Sequence, residues 1–213
     1  AIHPFYTHSL REFEEAGRPQ VPSAPVGYSG TEAWLEAVGE ACGIDRKRID
    51  AAKDAALPAM RKAIEASPIR GKITLSGYEG SELLVARLLV ECGADVRFVG
   101  TTLPKTPWSE PDRAWLEARG IEVQYRVNLQ QEVAALEAHR PDLVISTDTP
   151  AVQRAKELSI PGSYYTNLIP ARPMFGPAGP GAIAEMVNSL IASKERFNTM
   201  TAFFGDVGKG GAG

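Results

Sequence analysis

Cysteine is almost missing from this chain: Cys42 and Cys92 are the only two in 213 residues, and neither sits in a Cys-x-x-Cys pattern. That excludes a disulfide framework and leaves no ligand spacing of the zinc or iron–sulfur kind. Histidine is nearly as scarce. His3 and His8 are five apart, off the i, i+4 spacing that puts two ligands on one helix face, and His139 ends a predicted helix, where a cation suits the dipole. There is no basic excess, with 23 Lys and Arg against 26 Asp and Glu, so nucleic acid is not expected as a partner. No apolar run approaches the roughly 20 residues that span a bilayer, and no signal peptide opens the chain. A reducing cytoplasm is the expected location.

What is present is glycine-punctuated alternation of β and α patterns, with 44% hydrophobic residues to fill a core. The β-prone run 72–76 ends at Gly77; Gly80 follows, and then apolar residues recur at helical spacing over 81–91. Strands are then expected at 95–99, 121–127, 142–145 and 162–166, with helices at 111–118, 130–139 and 151–158. Alternation of this kind predicts a Rossmann-like α/β fold, a parallel sheet flanked by helices. The first strand is expected between the second and the fourth. That order brings the loops 77–80 and 146–150 together at a switch point, where open α/β sheets bind ligands.

The flanks are read differently. Residues 1–68 suggest a helix over 8–16, an extended segment at 20–25, a helix capped by Thr31 and stopped at Gly43, and a long helix from Asp45 to 66 that Pro58 should kink. This segment is expected to be the C-terminal remnant of a preceding α/β domain plus a linking helix, since the chain opens without methionine. Residues 69–200 form the Rossmann-like domain, closing with a helix over 182–197, and 201–213 are expected to be a flexible tail.

Several groups could carry chemistry. Gly77-Tyr-Glu-Gly80 reads either as an anion cradle at a helix N-terminus or as a tight turn; it lacks the third glycine of a dinucleotide fingerprint, and Glu79 would repel a phosphate. Ser146-Thr-Asp-Thr149 reads either as helix capping ahead of Pro150 or as a site in which Asp148 is the acid. Asp148 and Glu79 are the candidate catalytic acids. Tyr78, Ser81, Thr147, Thr149, Arg172 and Phe175 are the candidate cavity residues, and no residue is assigned to a metal. Trp108 and Trp115 read as core or interface.

Taken together, His3-Pro-Phe-Tyr, Glu12-Phe-Glu-Glu-Ala-Gly-Arg-Pro19, Ser23-Ala-Pro-Val-Gly27, Gly71-Lys-Ile-Thr-Leu-Ser-Gly-Tyr-Glu-Gly-Ser-Glu82, Pro141-Asp-Leu-Val-Ile-Ser146 with Ile160-Pro-Gly162, and Arg172-Pro-Met-Phe-Gly-Pro-Ala-Gly-Pro-Gly181 resemble one family. It is the nitrogenase component 1-like oxidoreductases, and within them the C-terminal part of the Y-type subunits of chlorophyllide a reductases. The resemblance implies a last Rossmann-like domain and pairing with a Z subunit around a [4Fe–4S] cluster. It implies an ATP-hydrolysing iron–sulfur protein as electron donor, and reduction of the C7=C8 ring bond of chlorophyllide a in bacteriochlorophyll synthesis. It places the cluster ligands outside this chain, which alone should be inactive. Two other readings compete: a nitrogenase-like cofactor-assembly scaffold and a domain that binds a nucleotide sugar at 77–80. A purely structural dimerisation domain is a third.

Overall fold

A computed structural model describes residues 7–21, 24–78, 80–165 and 174–207, with backbone alone at 200, 201 and 203–207. Three helices come first: α1 (Thr7–Glu15), α2 (Gly27–Ala41) and α3 (Arg46–Ala66). Asp45 caps α3 as its sequence suggests, its carboxylate accepting from Arg48 N at 3.1 Å, and the helix continues past Pro58.

The start of α2 corrects the expectation for Thr31. The helix begins four residues earlier, and the Thr31 hydroxyl donates to Gly27 O at 2.6 Å from inside it. Val26 occupies the N-cap with no side-chain bond. The free amides of Tyr28 and Ser29 instead donate to the Glu91 carboxylate, at 2.6 and 3.0 Å. A carboxylate from a distant helix thus satisfies the orphan donors that a local cap would have taken. The extended segment at 20–25 contributes no described strand; Val26 makes one isolated antiparallel bridge to Phe175, and Gly176 N donates to Pro25 O at 3.2 Å.

From Lys72 the alternation is regular: β1 (Lys72–Gly77), α4 (Glu82–Glu91), β2 (Asp95–Thr101), α5 (Glu110–Glu117), β3 (Glu122–Tyr125), α6 (Leu129–His139), β4 (Leu143–Ser146), α7 (Thr149–Glu157) and β5 (Gly162–Tyr164). The five strands are all parallel, in the order β3-β2-β1-β4-β5, so β1 lies between β2 and β4 as the sequence predicts. Alternation along each strand divides the two faces. Ile73, Leu75, Leu143 and Ile145 point into the main core with Leu83, Leu88, Leu89 and Ile183. Val144 packs on the opposite face with Leu136, Ala155 and Ile160 of the α6–α7 side.

The C-terminal end departs from the single helix expected over 182–197. Two helices stand there, α8 (Gly179–Ala192) and α9 (Lys194–Val207), so helix extends past 201, where a tail was expected. The break falls at Ser193, whose hydroxyl turns back to Leu190 O at 2.7 Å, a local bond that competes with helix continuation.

Candidate acid site at the switch point

The carboxyl ends of β1 and β4 lie side by side, with Leu75 opposite Ile145 in register. The two loops expected to meet therefore do so. The β1–α4 turn is closed on itself. Gly80 adopts φ +80°, a conformation that suits glycine, and its amide donates to Glu82 Oε1 at 3.1 Å. Glu82 is fully buried, and a Cβ placed on Gly77 would come within 2.6 Å of its Oε1. The space where an incoming phosphate would meet the N-terminus of α4 is thus filled by the chain's own carboxylate. This removes the physical basis for nucleotide binding at 77–80.

Ser81 is also committed, its Oγ lying 2.6 Å from the hydroxyl of fully buried Tyr165, which ties the turn to the chain after β5. Tyr78 stands out at 53% exposure. Glu79 and Arg172 lie outside the described residues. Phe175 is half exposed, and its bridge to Val26 ties it to the segment before α2.

At the β4 end, Thr147 and Asp148 are half-buried and Thr149 is exposed as the first residue of α7. Asp148 holds the N-cap position, yet its side chain makes no capping bond to α7. The Asp148 amide donates to Ser146 Oγ at 2.9 Å, and that hydroxyl donates to Glu132 Oε2, also at 2.9 Å.

Glu132 was not singled out from sequence. It sits in the first turn of α6, which is fixed by a reciprocal box: Asn128 Oδ1 accepts from Gln131 N and Gln131 Oε1 from Asn128 N, each at 3.0 Å. Burial pushes its carboxyl up to about 7, and the neighbouring Asp148 adds to the shift; the hydroxyls of Ser76 and Ser146 oppose it. The available signal was position: Glu132 shares a helix face at i+3 and i+4 with buried Ala135 and Leu136.

The cysteines do not fit an iron–sulfur cluster. Burial pushes the Cys92 thiol up to about 12, and it donates to Pro180 O at 3.7 Å, while Cys42 is exposed elsewhere. No group of three or more His, Cys, Asp or Glu among the described residues is placed to hold a metal ion, and no described helix is long and apolar enough to cross a membrane. Trp115 packs against the main core, and the guanidinium carbons of Arg87 and Arg119 lie over its ring, 5.0 and 3.5 Å from the centre.

Comparison with known proteins agrees with this architecture. The chain is 57% identical over 210 residues to the chlorophyllide reductase 52.5 kDa chain of Cereibacter sphaeroides and 55% identical to that of Rhodobacter capsulatus. Each match covers 99% of this chain and 42% of the relative, so the chain spans less than half the length of these proteins. Subunit N of the light-independent protochlorophyllide reductase of Acidiphilium rubrum is 29% identical over 149 residues, 67% of this chain and 35% of that one. Among solved structures, one titled "Nitrogenase Cp1 at pH 6.5" superposes with a TM-score of 0.57 over 81% of this chain and 39% of its own, at 21% identity, a likeness of fold. Residues 1–192 match the family described as "Nitrogenase component 1 type Oxidoreductase", and the chain belongs to that family.

Proposed function

We propose that this chain forms part of the catalytic component of a chlorophyllide a reductase, an oxidoreductase that saturates the C7=C8 ring bond. The observation that carries the reading is the 57% identity to a chlorophyllide reductase chain, sustained over 99% of the sequence. The site is compatible with it: a half-exposed carboxylate, Asp148, and an exposed aromatic, Tyr78, lie on adjacent loops at the edge where such sheets bind ligands. The nucleotide-sugar alternative loses support because Glu82 fills its cradle.

In this reading the [4Fe–4S] cluster is held by residues outside this chain, since Cys42 and Cys92 are unsuited to it. Electrons arrive from a separate ATP-hydrolysing iron–sulfur protein, and a second catalytic-component chain completes the site. The relatives are described by mass and carry no subunit letter. The Y designation, with Z as partner, rests on the sequence resemblance, most specifically on the stretch 172–181, and has no support from these relatives.

The test is a replacement. The matching region of the Cereibacter sphaeroides 52.5 kDa chain is exchanged for this sequence, and the complex is assembled anaerobically with its partner and reductase component. Conversion of chlorophyllide a, followed by the change in its absorption spectrum, is the expected result. A complex that assembles but does not reduce chlorophyllide a defeats the proposal. Exchange into the Y-type chain but not the Z-type chain should preserve assembly, and the reverse would overturn the letter.

A further inference from the structure

A carboxylate in a protein interior needs donors to replace its water, and Glu132 has few. It is 5% exposed, Oε2 is met by Ser146, and Oε1 has no well-formed hydrogen bond among the described residues. Asp148 N and Glu132 Oε2 meet at the same Ser146 hydroxyl, each at 2.9 Å, and the Asp148 carboxyl acts on Glu132 from the N-terminus of α7. Two ionised carboxylates are both acceptors, so at close approach they are stable only when they share a proton. Glu132 is the more buried of the two, and burial disfavours its charged form. The other groups acting on Glu132 are hydroxyls, Ser76 of β1 and Ser146 of β4.

We propose that Glu132 and Asp148 form a proton-storing acid pair, in which Glu132 holds a proton inside the fold and Asp148 presents it to the molecule reduced at the carboxyl edge of the sheet. The delivery half rests on the reductase reading above; the existence of the pair does not. The step moves one proton. The proton held by Glu132 first passes to the Asp148 carboxylate. A substrate carbon that has received its electron pair from the external iron–sulfur reductant then takes that H⁺ from Asp148, which returns to a carboxylate, and solvent reprotonates Glu132. Asp148 is the group that touches substrate, and Glu132 acts through it. Burial places the Glu132 carboxyl at about 7, where a proton store refills at neutral pH.

Infrared titration of the protein tests the pair. The wild type should lose a protonated-carboxyl C=O band near pH 7. That band should be absent in Glu132→Gln and should titrate at lower pH in Asp148→Asn, where the neighbouring charge is gone. In the replacement complex, Glu132→Gln should lower kcat by about 10²-fold and change the pH profile, with Glu132→Asp restoring part of the rate. A purely structural Glu132 would leave that profile unchanged. The pair is overturned if the wild type shows no such band, or if Asp148→Asn leaves it unmoved. Delivery is overturned if Glu132→Gln turns over with the wild-type pH profile. Wild-type complex without any turnover defeats the reductase reading, and with it delivery, while the infrared result still decides the pair.

Discussion

Glu132 and Asp148 each begin a helix, where the dipole favours an anion, yet burial raises the Glu132 carboxyl. The stability of the protein should record this. The folded carboxyl of Glu132 titrates at about 7 against an ordinary value of 4.5, so the folded chain keeps a proton that the unfolded chain has already released. Its contribution to stability is therefore complete below about pH 4.5 and is lost as pH rises through about 7. At about 1.4 kcal/mol per unit the full swing is on the order of 3 kcal/mol. Urea unfolding at pH 4.5 and pH 8 should find Glu132→Gln gaining stability relative to wild type by roughly that amount; an unchanged difference would mean that Glu132 binds its proton equally in the folded and unfolded chain. Two further residues make independent claims. Gly77→Ala would drive its Cβ into Glu82, whose full burial leaves it nowhere to move, and should cost about 1–3 kcal/mol in denaturant unfolding. A thiol reagent should label exposed Cys42 in the native protein and reach Cys92 only after unfolding.

Helix ends set by local chemistry were legible in the sequence, and those set by distant partners were not. Asp45 before α3 and the glycines just past α4 and α5 act through neighbours a few residues away, so the pattern of residue types is enough. The start of α2 depends on Glu91, more than 60 residues away in sequence, and Thr31 therefore looked like the better cap. The site divides the same way. The placement of Asp148 at the carboxyl end of β4 was legible because it follows from topology; the burial of Glu132 was not, because a charge on a helix normally faces water. Glu82 was missed for the same reason, and the repulsion of an anion attributed to Glu79 is met at Glu82. The α6 start offers a direct test of how an element positions a side chain. Asn128→Ala removes the Oδ1 half of the capping box, leaving the bond from its own amide to Gln131 Oε1, and should destabilise the protein by about 1 kcal/mol. If the box also holds Glu132 against Asp148, the carboxyl titration should move down from about 7 in the same variant; loss of stability without that movement would place the positioning in β4 and Ser146 instead.

Across the molecule, the main question is whether the helices before Lys72 belong to the sheet. Their sequence reads as the end of another domain, one strand-like segment with three helices and no repeat of the βα unit. Their packing joins them to the sheet domain. Ala24 and Val26 lie in the same buried cluster as Leu83, Leu88, Met174 and Ile183, and Ile64 of α3 packs against it. α2 lies on α4 and α8, and α3 on α8, so the helical segment closes over the outer side of α4. The close approach uses small residues that a hydrophobicity pattern undervalues: a Cβ on buried Gly27 would meet Glu91 and Leu88 of α4, and within the segment buried Gly39 sits against Ile49 of α3. Glu91 adds a polar tie at one end of the same contact, binding α2 through two amides and the Ser29 hydroxyl. A segment that contributes to a shared core cannot unfold alone without exposing that core, so the two parts should melt together. Single-tryptophan variants make this measurable, with Trp34 reporting on α2 and Trp115 on α5, the other tryptophans replaced by phenylalanine. Coincident denaturant midpoints and slopes from the two reporters are the expected outcome. An earlier transition at Trp34 would show that the α2 contact is a docking surface between two units, and Glu91→Ala should then widen the gap between the transitions by weakening that contact.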